Sequence, residues 1–147
     1  MTDIFESIRV YDDLVPEHIQ DFLFKFFMQN DGVCWHFASN LTGTQDVTEN
    51  SNIHNPGLCA PISSGEKSRF PDADFFTRSL LGFLKKENAI GEYELIGSRA
   101  FLQLPNGQDS VMAEPHTDWN SDVEHTVVIY YVNDSNGETC LIDKTNK

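Results

Sequence analysis

The sequence predicts an α+β domain, and three observations carry that expectation. Two stretches place apolar residues at helical spacing, short strand-like segments fill the C-terminal third, and turn signals separate those segments. Hydrophobic residues make up 39% and aromatic residues 12% of the 147, with 11 Phe, which is the composition of a chain that builds a packed core. That length fits one domain spanning residues 1–147.

Residues 4–11 read as a first strand. Val15-Pro16-Glu17 then opens a helix, with Pro at an early position and an acid in the first turn. Ile19, Phe22, Leu23, Phe26 and Phe27 form its apolar stripe, and Asn30-Asp31-Gly32 stops it. The aromatic segment Val33–Phe37 reads as a short strand. From Ala38 to Arg69 the composition turns to Ser, Thr, Asn, Gly and Pro, which predicts a long surface loop.

A second helix starts near Pro71-Asp72, with Phe75, Phe76, Leu80, Phe83 and Leu84 as its apolar face, and ends between Asn88 and Gly91. Strand segments follow: Tyr93–Leu104, a Pro-Asn-Gly turn at 105–107, a short piece around His116, and Thr126–Asn133. The turn Asp134–Gly137 leads to a last strand, Glu138–Asp143. No internal repeat, linker or low-complexity tract interrupts this order.

A net charge of −13, with 23 acidic against 10 basic residues, argues against nucleic acid or an anionic membrane surface as partner. Both need clustered Lys and Arg, and the densest basic spot is Lys85-Lys86. No apolar run approaches the ~20 residues of a membrane helix. The N-terminus lacks the basic start and apolar block of a signal peptide, so a cytoplasmic setting is expected. Cys34, Cys59 and Cys140 show no CxxC pairing and read as free, packed thiols in a reducing compartment.

The most informative motif is Pro115-His116-Thr117-Asp118. On an extended backbone, side chains at i and i+2 share a face, so His116 and Asp118 can reach one ion while Thr117 looks away. A nitrogen and an oxygen donor so placed are two-thirds of the 2-His-1-carboxylate triad that holds non-haem Fe(II). By the same alternation Tyr130 and Tyr131 face opposite sides of their strand. Arg99 is read as one half of a surface ion pair or as a group steering an anionic co-substrate. Trp119 is a pocket-mouth or sheet-covering aromatic, and His125 a structural residue. His18, His36 and His54 stand far in sequence from any ligand-like partner.

The order of strand, Pro-Asn-Gly loop, HxD with Trp119, Thr126–Asn133, Asn-Gly turn and Gly137-Glu-Thr139 resembles the Fe(II)- and 2-oxoglutarate-dependent dioxygenases. Within them it is most similar to the prolyl-4-hydroxylase-like group, closely from Ser98 to Asp143 and loosely before that. The resemblance implies a double-stranded β-helix, a jelly-roll or cupin-like core with N-terminal helices packed on the sheet. It implies His116 and Asp118 as iron ligands and Tyr131 as a phenol offered to the bound 2-oxoglutarate carboxylate. Fe(II), 2-oxoglutarate as co-substrate, O2, ascorbate as a further candidate cofactor, and a prolyl, other peptidyl or small-molecule substrate complete what it implies.

The sequence also departs from the group. Gln103 and Leu104 stand where some members place another co-substrate-binding Tyr. The second His ligand and the basic residue that anchors 2-oxoglutarate, both expected several strands beyond the HxD, are not present before Lys147. The expectation is therefore a C-terminally incomplete barrel from a longer enzyme. A degenerate, non-catalytic jelly-roll module and a site completed by a second polypeptide are the alternatives. A zinc hydrolase using His116, Asp118 and His125 is a further, less supported option.

Overall fold

The structure is a computed structural model and describes residues 8–29, 32–39, 41, 56–104, 116, 118, 124–135 and 137–142. It is an α+β arrangement of two helices, α1 (Glu17–Gln29) and α2 (Pro71–Lys86), with a four-strand antiparallel sheet. The strands are β1 (His36–Ala38), β2 (Gly57–Ser64), β3 (Lys67–Ser68) and β4 (Gly97–Gln103). β2 is central: β4 pairs along its whole length on one side, while β1 pairs with its start and β3 with its end.

The second helix follows the sequence closely because its ends are built in. Pro71 occupies the first turn together with Asp72 and Asp74, and Lys85 and Lys86 sit in the last, matching the helix dipole at both ends. Asn88 takes a left-handed φ of 56°, while its N–H bonds to the Lys85 carbonyl and that of Ala89 to Leu84. These two bonds close the helix as a Schellman motif, with Asn in the place usually held by Gly. Ala73, Phe76, Leu80 and Leu84 are buried at helical spacing. Phe75, expected on the same face, is 74% exposed. One residue from Phe76 is a turn of about 100° around the helix, which carries its ring off the stripe.

α1 presents Leu23 as its buried residue, at 0% exposure, with Ile19 and Phe27 partly buried and Phe22 largely exposed. Val15, Leu23, Phe76 and Leu80 form one core cluster, joined by Leu14, Ile19, Phe27, Tyr130 and Val132. The ring of Phe27 also meets Trp35, centroids 6.2 Å apart, which fixes the approach to β1. Of the expected strand Val33–Phe37, residues 36 and 37 lie in β1, which runs on to Ala38.

Two expectations are corrected. The stretch Ala38–Arg69, read as a long loop, contains the central strand and the β2–β3 hairpin. Gly65 opens that two-residue hairpin turn at φ 58°, a conformation Gly adopts without steric cost. Pro61 and its neighbours do not look like a central strand because Pro cannot donate to a ladder. The fold accommodates it where the flank opposite β4 is unpaired, between the stretch bonded to β1 and the stretch bonded to β3. A bulge follows at once: Pro61 opposes Arg99 and Ser63 opposes Ser98, so Ile62 is the extra residue. Ile62 and Ser63 are consequently both buried, which strict alternation forbids.

The second correction concerns the expected strands Thr126–Asn133 and Glu138–Asp143: residues 126–133 and 138–142 join no strand of the sheet, and Asp143 lies outside the described residues. Tyr130 and Val132 reach the core cluster, while Val127, Val128, Ile129, Leu141 and Ile142 are exposed. Residues 8–11 of the expected first strand are likewise outside any strand. The sheet of the described residues is therefore open, and no barrel closes among them. The turn at 105–107, Thr117, Trp119, His54 and residues 4–7 fall outside the described residues. No helix among the described residues is long and apolar enough to cross a membrane.

Candidate metal centre

Alternation along β4 prepares the site. Ser98, Ala100 and Leu102 are half-buried, while Arg99, Phe101 and Gln103 point to the open side. On β2, Pro61 lies opposite Arg99, Cys59 opposite Phe101 and Gly57 opposite Gln103, and His36 of β1 flanks Cys59. His36, Cys59 and Phe101 thus make one cross-strand row. The other side of β2 carries the buried Ala60 and Ile62, and α2 packs on this strand.

Arg99 is the pivot. Its guanidinium stacks over Phe101, 4.5 Å from the ring centroid, a contact worth about 0.5–1 kcal/mol at an exposed position. Its Nη2 donates to Asp118 Oδ1 at 3.1 Å. His116 Nε2 lies 3.7 Å from that same oxygen. The imidazole and the carboxylate thus lie near each other, and they do so against β4.

Two donors about 2.1 Å from one ion and at right angles to each other stand about 3.0 Å apart. The observed 3.7 Å needs a small side-chain rotation to reach that geometry. Both side chains are partly exposed, 33% for His116 and 38% for Asp118, so the rotation meets little resistance. They fit as two donors to one divalent ion of the first transition row, a nitrogen and an oxygen as iron favours. Among the described residues no group of three or more His, Cys, Asp or Glu gathers to hold a metal, so His125 does not complete a triad with them.

Cys59 borders this face. Burial pushes its thiol above the usual value, and the positive charge of Arg99 pulls partly the other way. The thiol therefore stays protonated near neutrality, which suits packing and not nucleophilic attack.

Tyr130 and Tyr131 turn opposite ways, although their segment joins no strand of the sheet. Tyr130 turns inward, its ring 5.4 Å from that of Phe76, and burial raises its phenol above the ordinary value. Tyr131 is 60% exposed and its hydroxyl hydrogen-bonds with that of Thr139. The pairing of Arg99 with Asp118 could not be read from the sequence, where the two are 19 positions apart. The sequence did carry half of that signal, since alternation in Ser98–Gln103 puts Arg99 and Phe101 on one face.

No protein family, curated protein or solved structure matches the chain. Its class rests on the α+β architecture.

Proposed function

We propose that this chain is an Fe(II)- and 2-oxoglutarate-dependent oxygenase of the prolyl-4-hydroxylase-like group, its open sheet forming part of a double-stranded β-helix. One observation carries the proposal: His116 Nε2 and Asp118 Oδ1 converge to 3.7 Å beside β4. The order of motifs from Ser98 to Asp143 supports it independently. Bound there, iron would supply O2 activation coupled to oxidative decarboxylation of 2-oxoglutarate, with hydroxylation of a substrate C–H bond.

The chain's own residues have distinct parts in this reading. His116 offers a neutral imidazole nitrogen and Asp118 a carboxylate oxygen. Phe101 shields one side from water, and Arg99 places a positive charge where an anionic co-substrate arrives. Tyr131 exchanges the Thr139 hydroxyl for a co-substrate carboxylate. Substrates of the peptidyl class, with prolyl first among them, follow from the resemblance, as does ascorbate as an accessory reductant. Supplied with Fe(II), 2-oxoglutarate and O2, the chain is expected to release succinate, and His116→Ala or Asp118→Ala to stop that release. Unchanged turnover in either variant overturns the proposal.

A second reading is a non-catalytic sheet module, favoured by the engagement of Asp118 Oδ1 in an ordinary ion pair with Arg99. It predicts no succinate from the unaltered chain and no divalent-ion binding that depends on Asp118.

A further inference from the structure

The Asp118 oxygen nearest to His116 is the one Arg99 already holds. Nη2 of Arg99 stands 3.1 Å from Oδ1, and His116 Nε2 stands 3.7 Å from the same atom. A divalent ion shared by His116 and Asp118 would sit about 2.1 Å from that oxygen, within a few ångströms of a guanidinium that is always charged. Ion and guanidinium repel each other there, and both draw on the same lone pairs.

The guanidinium also has a hold that does not depend on Asp118. Its residue sits on β4 and its central carbon lies 4.5 Å from the Phe101 ring centroid, a contact that remains when Nη2 turns away from the carboxylate. The ion pair being given up is weak, because both side chains are more than a third exposed.

We propose that Arg99 is a built-in competitor for the metal site: in the ion-free chain its guanidinium occupies the carboxylate, and a divalent ion binds only by displacing it from Asp118. This rests on the metal reading above and adds to it a residue that sets the site's affinity without ligating the ion. The device holds the affinity for stray divalent ions down. It also keeps Asp118 oriented toward His116 while no ion is present.

The test is a Co(II) titration of the full chain, followed by visible absorption and calorimetry. Arg99→Gln is expected to bind Co(II) about tenfold more tightly than the unaltered chain. Arg99→Lys, which keeps the charge, should stay within about twofold of it. Arg69→Gln removes an exposed cation elsewhere and controls for net charge; it should leave affinity unchanged. Asp118→Ala should lose the binding in either background. Equal or weaker binding in Arg99→Gln, with binding still lost in Asp118→Ala, overturns the competitor role and leaves the metal site standing. Binding indifferent to Asp118→Ala in both backgrounds overturns the metal site and the competitor together. Circular dichroism of each variant shows that a change in affinity is not a change in fold.

Discussion

The two faces of the sheet are made by the same strands and do different work. On the helix-backed face, β2 contributes Ala60 and Ile62, both buried, with the hydroxyls of Ser63 and Ser98 hydrogen-bonded at 2.7 Å. On the open face, β4 contributes Arg99 and Phe101, both exposed, beneath His116 and Asp118. Residues one apart in sequence thus divide between the buried side and the exposed side. Substitutions on the helix-backed side should change folding free energy, whereas those on the open side should change ion binding and leave folding nearly intact.

The largest stability loss is expected from Leu23→Ala in the core cluster shared by α1 and α2. Leu23 is fully buried, so the change should cost about 3 kcal/mol from lost burial and the cavity left behind. Urea denaturation measures this, and a loss under about 1 kcal/mol would mean that α1 is loosely held. Next is Gly57→Ala at the start of β2. A Cβ there would meet the Leu41 side chain and stand 2.7 Å from the Leu102 carbonyl oxygen, which is backbone and cannot swing aside. About 1–3 kcal/mol should be lost. Ser98→Ala comes third: it leaves the buried Ser63 hydroxyl without this partner, for about 1 kcal/mol.

On the open side, Arg99→Gln should shift stability by less than about 1 kcal/mol, since it removes one exposed ion pair and one ring contact. Its clearer signature is at Cys59. Burial raises that thiol's pKa and Arg99 lowers it, so removing Arg99 raises it further. Iodoacetamide should label exposed Cys34 and Cys140 before Cys59, and Arg99→Gln should slow Cys59 again. Faster labelling of Cys59 in that variant would place Arg99 away from it.

Tyr130 gives the pH counterpart for the core. Its folded pKa lies above the ordinary value of 10.0, so the fold favours the neutral phenol. This contribution is fully present below about pH 10 and is lost as pH rises through the folded pKa. Tyr130→Phe should therefore blunt the alkaline loss of stability, and an unchanged alkaline limb would show that the ring is solvated in the folded protein.

How much of this was legible in the sequence differs between particular residues. α2 could be read because its signals are local: Pro71 and the first-turn acids start it, and Asn88 stops it. The alternation of β4 was equally local. β2 was not, because Gly57-Leu-Cys-Ala-Pro-Ile-Ser-Ser64 has the composition of a loop. It is a strand because two flanks pair with it, and its small residues let α2 approach. The opposite holds at Thr126–Asn133, whose β-branched and aromatic residues read as a strand but pair with no strand among the described residues. Propensity describes what fits a pleated, half-buried surface, and a strand needs a neighbour to supply one. At the site, the nearness of His116 and Asp118 follows from their separation by one residue in the sequence. The guanidinium that holds Asp118 was a tertiary fact, invisible until β4 came under that segment.

The central claim is that one divalent ion binds on the open face of the sheet, between His116 and Asp118. Paramagnetic broadening by Mn(II) in an NMR titration tests it directly, because broadening falls steeply with distance from the ion. The His116 and Phe101 ring signals should broaden first, while the methyls of Ile62, Leu80 and Leu84 stay sharp, and Asp118→Ala should abolish the difference. Broadening that begins at those methyls, or that persists unchanged in Asp118→Ala, would contradict the assignment.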